Sequence, residues 1–199
     1  SAYALLVASC GAEDRDLSTN RERIVEAIEQ GTKVDILFVI DRSGSMVEEQ
    51  EALQAQLQDM VRELVAPSTP DIPSLRDVRI GVISSDLGTP GYDNEGCVDD
   101  GDGGRLLNVG RLPGCESTYG AGSCIGDECP WLEHSSLHPD VVAEPGNAPI
   151  WEDLAYIATL GTGGCGISQP LEAIHRALTV QSDPGMPNEG FLRDDSELL

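Results

Sequence analysis

Basic residues are scarce in this sequence: 12 Lys and Arg stand against 35 Asp and Glu, a formal charge of -23. That balance excludes nucleic acid and an anionic membrane face as principal partners, since both would repel the chain. Divalent cations or basic partners suit it better, and the same acidity would keep an exported protein in solution. Long apolar runs are missing too. Beyond the first ten residues no segment approaches the roughly 18 apolar residues of a spanning helix, so the remainder reads as a soluble, exported chain. No internal repeat is visible. Neither Ser43 nor Ser45 sits in a Gly-x-Ser-x-Gly turn, as a hydrolase nucleophile would. His134, His138 and His175 offer no placed base, and His175 reads as a partly exposed helix residue.

The 199 residues have room for one domain with a proper core and an excursion from it. The opening "SAYALLVASC" ends in Val7-Ala8-Ser9-Cys10, a bacterial lipobox pattern. Residues 1–9 then read as the remnant of a lipoprotein signal peptide that lacks its basic n-region, Cys10 as the lipid-bearing residue, and 10–32 as a polar tether. Cys97, Cys115, Cys124, Cys129 and Cys165 remain, and five cannot all pair internally. Their spacing lacks the paired short knuckles of structural zinc, although His134 and His138 are near. Disulfides in an oxidising compartment are the favoured reading, with the odd cysteine pairing outside this sequence.

Val34 to Ile40 is a nearly unbroken apolar, β-branched and aromatic run, the pattern of a strand covered on both faces of a parallel sheet. From Val47 to Ala66, Val47, Leu53, Leu57, Met60, Val61, Leu64 and Val65 form one helical stripe, with acids and glutamines opposite. A second buried strand is expected over 78–86, completing a βαβ unit. Residues 87–149 are rich in Gly, Asp, Cys and Pro and read as a disulfide-stapled insertion, with 105–109 as an edge strand. Helices follow over 150–160, through Trp151, Leu154, Ala155 and Ala158, and over 170–180, where Pro170 opens a face of Leu171, Ile174, Ala177 and Leu178. A short helix is expected over 20–30. The fold class is α/β: an open, mostly parallel Rossmann-like sheet flanked by helices.

The first strand stops on "DRSGSM". Asp41, Ser43 and Ser45 are hard oxygen ligands alternating with Arg42 and Gly44, at the carboxyl end of a strand, where open α/β sheets bind ligands. Asp and Ser also cap helices, but a cap needs one such residue and not three in alternation. Mg²⁺ takes oxygens in near-octahedral geometry and keeps several waters, so two hydroxyls with nearby carboxylates can hold it. Asp86, also at a strand end, reads as a turn cap. "DDGDGG" at 99–104 fails the EF-hand spacing and reads as a turn. "CIGDEC" at 124–129 reads as a small disulfide loop.

"DILFVIDRSGSM" resembles the first strand and metal loop of the von Willebrand factor A (VWA) fold, whose metal-ion-dependent adhesion site carries Asp-x-Ser-x-Ser, a later Thr and a later Asp. With "RIGVISSDLG", "GTGGCGISQPLEAIHRAL" and "GFLRDD" in this order, residues 33–195 resemble exported A-domain lipoproteins of the kind abundant in myxobacteria. The resemblance implies a VWA domain over 33–199, holding Mg²⁺ or Mn²⁺ through Asp41, Ser43, Ser45 and a Thr. Thr162 and Thr159 both qualify, and Thr162 is better placed in the glycine-rich turn. It further implies adhesion in the bacterial cell envelope: the metal's open position takes a carboxylate from a protein partner, and the lipid alone meets the membrane. A strand ending in the second Asp is expected beyond "DDSELL", so the chain reads as C-terminally truncated. The rival reading is a structural envelope lipoprotein whose metal site is incomplete and unused. An enzyme is the third and is not expected: dehalogenase-type phosphotransferases need an acid two residues after the first Asp, where Ser43 stands.

Overall fold

Val34–Ile40 forms β1, and its side chains alternate between two cores as period-2 geometry requires. A computed structural model describes residues 33–69, 74–92, 94–97, 99–108, 130–135, 149–194 and 197–198. The lipobox and Cys10, the tether, the helix expected over 20–30, Cys115, Cys124, Cys129 and His138 lie outside the described residues.

β1 leads through the Asp41 loop into α1 (Val47–Val65), and the chain returns as β2 (Asp77–Ser84), parallel to β1 with Val34 opposite Val78 and Ile40 opposite Ser84. β3 (Leu132–Ser135) pairs antiparallel with β2, and β4 (Glu197–Leu198) pairs parallel with the start of β1, giving the sheet order β3-β2-β1-β4. The sheet is therefore mixed, with helices on both faces. The βαβ unit stands where expected, with β2 ending at Ser84 rather than residue 86.

On one face, Ile36, Phe38 and Ile40 of β1 and Val78, Ile80 and Val82 of β2 pack under Leu57, Val61 and Val65 of α1. Ile150, Leu154 and Ile157 of α2 (Ile150–Ile157) join the same core. On the other face, Leu37 and Ile83 meet Ala173, Ile174 and Ala177 of α3 (Pro170–Leu178), together with Leu106 and Phe191. Gly81 makes room there: a Cβ on it would stand 2.5 Å from Leu106 Cδ2 and 2.9 Å from Phe191.

Four expectations change. Val47 is 53% exposed, since Gln50, one turn later, is the first residue of that face to reach the loops at the end of the sheet. Leu171 is 72% exposed. At 3.6 residues per turn it points roughly 120° away from Ala177, the middle of the buried face. Residues 105–108 form no strand; Leu107 N–H donates to Val82 O at 2.8 Å, and β3 takes the edge beside the first half of β2 instead. The last two helices stop at Ile157 and Leu178, short of the expected ends at 160 and 180, and a 3-10 turn over Val180–Ser182 follows the second.

Below the sheet, Arg193 joins the starts of both parallel strands. It donates through Nε to Asp35 Oδ1 at 2.8 Å and through Nη2 to Val34 O at 3.0 Å, and it pairs with Asp77.

Candidate metal centre

β1 delivers Asp41 to the upper end of the sheet, and the pairing with β2 runs one step further, Ser85 N–H donating to Ile40 O at 3.0 Å. Asp41 Oδ1 accepts Ser43 N–H at 2.8 Å and the Ser85 hydroxyl at 3.3 Å, and Ser168 Oγ donates in turn to Ser85 Oγ at 2.8 Å. The first bond curls the loop back on itself, as Asx turns do. Ser43 Oγ and Ser45 Oγ end 3.4 Å apart. Adjacent ligands of an octahedral Mg²⁺ at about 2.1 Å stand roughly 3.0 Å apart, so a small adjustment suffices for both hydroxyls to share one cation.

The glycine-rich turn after α2 lies against this loop. A Cβ at Gly44 would lie 4.0 Å from Thr162 O, and Gly164 N–H donates to Arg42 O at 3.1 Å. Only glycine fits at 164, where a Cβ would come within 2.8 Å of Arg42 Cβ and 2.9 Å of Asp86 Oδ2. Gln50 clamps the two segments from α1: its Nε2 donates to Asp41 O at 2.6 Å and to Gly161 O at 3.1 Å. Thr162 is half-buried beside the loop, whereas Thr159 is buried and commits its hydroxyl to Ala155 O at 2.7 Å. Of the two candidates, the turn thus brings Thr162 to the Asp41 loop.

Three residues that sequence reasoning did not place at the site, Arg42, Asp102 and Asp86, hold it from below. Arg42 read as a spacer, yet its side chain is 10% exposed and donates to Asp102 Oδ2 at 2.8 Å, with Asp86 Oδ2 at 3.9 Å. Asp102, within the acidic 99–104 turn, also accepts the Ser84 hydroxyl at 2.5 Å. Asp86 does cap its turn, accepting Gly88 N–H at 2.9 Å, and it accepts Cys165 N–H at 3.0 Å as well. Two carboxylates thereby balance a buried guanidinium directly under a loop of hydroxyls. No local signal in the sequence marks these pairings, because the partners are 60 and 79 residues apart.

Cys97 and Cys165 form a disulfide across 68 residues of sequence, joining the insertion to the glycine-rich turn. Of the two nearby histidines weighed for zinc, His134 lies on β3, where burial pulls its pKa below 6.5 against a smaller opposing pull from Asp77. Among the described residues no group of three or more His, Cys, Asp or Glu side chains converges to hold a metal. The donors at 41–45 are of another kind, one carboxylate and two hydroxyls, which suits a hard cation that keeps part of its water shell. No family model, curated protein or solved structure matches this chain.

Proposed function

We propose that the protein is an exported VWA domain, lipid-anchored through Cys10 in a bacterial cell envelope, that binds a protein partner through Mg²⁺ or Mn²⁺. Its finer fold in this reading is the Rossmann-like VWA sheet. Asp41, Ser43, Ser45 and Thr162 hold the cation: the hydroxyls as direct ligands, the carboxylate as the charge that balances it. The cation then offers an open position to a carboxylate of the partner. The observation that carries the reading is the convergence of the Ser43 and Ser45 hydroxyls above Asp41, with the Thr162 turn packed against Gly44. The role is binding rather than catalysis.

A structural envelope protein is the second reading. It is favoured by the loop's internal hydrogen bonds, from Ser43 N–H to Asp41 and between the Ser43 and Ser45 hydroxyls, which engage these groups with no cation. Calorimetric titration of the full chain with Mg²⁺ and Mn²⁺ separates the two. The metal reading expects saturable binding that disappears in Asp41→Ala while circular dichroism stays native. A folded wild type that takes up neither ion would leave the structural reading standing.

A further inference from the structure

The Cys97–Cys165 disulfide ties two segments that meet at the site. One is the glycine-rich turn. Up to Cys165 its described hydrogen bonds to neighbouring segments, Gln50 to Gly161 O, Gly164 N–H to Arg42 O and Cys165 N–H to Asp86 Oδ2, all reach the Asp41 loop or its supports, and past Cys165 the turn is tied to Ser85 by the Ser168 hydroxyl and by Gln169 N–H. From outside, the turn has little over it: Gly163, Gly166, Ile167 and Ser168 are exposed. The other segment is the start of the insertion. Asp102 anchors it to Arg42 and Ser84, and Cys97 anchors it covalently to Cys165. Thr162 is three residues from that bond, and its hydroxyl makes no hydrogen bond among the described residues. Where the hydroxyl stands therefore depends on how the turn is held. The same bond is open to chemistry: Cys165 is 2% exposed, but Cys97 is half-buried between exposed residues 94–96 and 99–100.

We propose that Cys97–Cys165 is a reducible latch that positions the Thr162 turn for cation binding, so that breaking it weakens the metal site without dismantling the fold. This inference rests on the metal reading of the Asp41 loop. The step is thiol–disulfide exchange with a dithiol reductant. A thiolate of the reductant attacks one cysteine sulfur and the S–S bond breaks. The second thiol then closes the reductant into a cyclic disulfide, delivering two electrons in all and leaving Cys97 and Cys165 as protonated thiols. The two cores lie on the faces of the sheet and do not include Cys97, so they are expected to survive the loss.

The test follows the full chain, oxidised and dithiol-reduced, by two readouts: Mn²⁺ titration and amide hydrogen exchange. Reduction is expected to lower Mn²⁺ affinity roughly tenfold or more, the scale on which groups that orient metal ligands act. The Gly164 and Cys165 amides should lose protection while those of Ile80 and Val61 keep it. A Cys97→Ser/Cys165→Ser double variant isolates this pair from the other cysteines. It is measured in sucrose, which favours the compact state, should reduction unfold the wild type. Unchanged affinity in the folded reduced protein or the double variant overturns the latch, whether or not the amides change. If the oxidised wild type binds no Mn²⁺, the metal reading itself fails, and unchanged protection of the two amides would then overturn the latch separately.

Discussion

Arg193 holds two carboxylates that the fold has taken out of water. Asp35 is 0% exposed and Asp77 5%, and the guanidinium meets both while its own burial would favour the neutral form. Burial pulls the Arg193 pKa down, but its hydrogen bonds and charge interactions with Asp77 and Asp35 more than reverse this, and the net shift is upward. Replacing one partner of such a cluster leaves uncompensated buried charge, which costs about 3–5 kcal/mol. Arg193→Met should lower unfolding free energy by that order in urea titration, and a loss under 1 kcal/mol would show the carboxylates to be solvated. Nothing in "GFLRDD" announces this role, because sequence displays the charge of Arg193 and not its depth. Arg42 is the same case at the other end of the sheet. Gln50 was hidden differently: on a helix rich in Glu and Gln it reads as solvent-facing, and only the approach of two loop carbonyls makes it a clamp. That Asp41, Ser43 and Ser45 meet in one loop was legible, because their alternation after a buried strand is a local pattern.

The elements themselves were mostly written in periodicity. β1 reads correctly to the residue because both of its faces are covered, so every position but Asp35 carries the apolar signal. The edge beside β2 was misread because Leu106 and Leu107 are apolar for another reason: Leu106 fills the space above Gly81. That fit predicts overpacking when the glycine gains a methyl group. Gly81→Ala should cost about 1–3 kcal/mol by thermal or urea unfolding, and Leu106→Ala in the same chain should recover part of it. Strictly additive losses in the double variant would mean that the two side chains do not compete for this space. Ends of elements were less legible than their centres, as the early stops of α2 and α3 show.

For the molecule as a whole, βαβ connectivity and helices on two faces were readable from the order of apolar runs. The ties that assemble the upper end of the sheet were not. The Cys97–Cys165 bond, the Arg42–Asp102 pair and the Gln50 clamp each span tens of residues, and no window of sequence contains both partners. The central claim, that these ties build a cation site, is most directly tested by paramagnetic broadening of amide resonances as Mn²⁺ is added in substoichiometric amounts to the full chain. With a net charge of -23, weak scattered binding to exposed carboxylates is the competing outcome. The account predicts that the amides of Ser43, Gly44, Ser45 and Thr162 broaden first and together, and that Asp41→Ala abolishes this. Broadening that begins at Asp99 and Asp100, or spreads evenly over the acidic surface while Ser43 to Ser45 stay sharp, would contradict it.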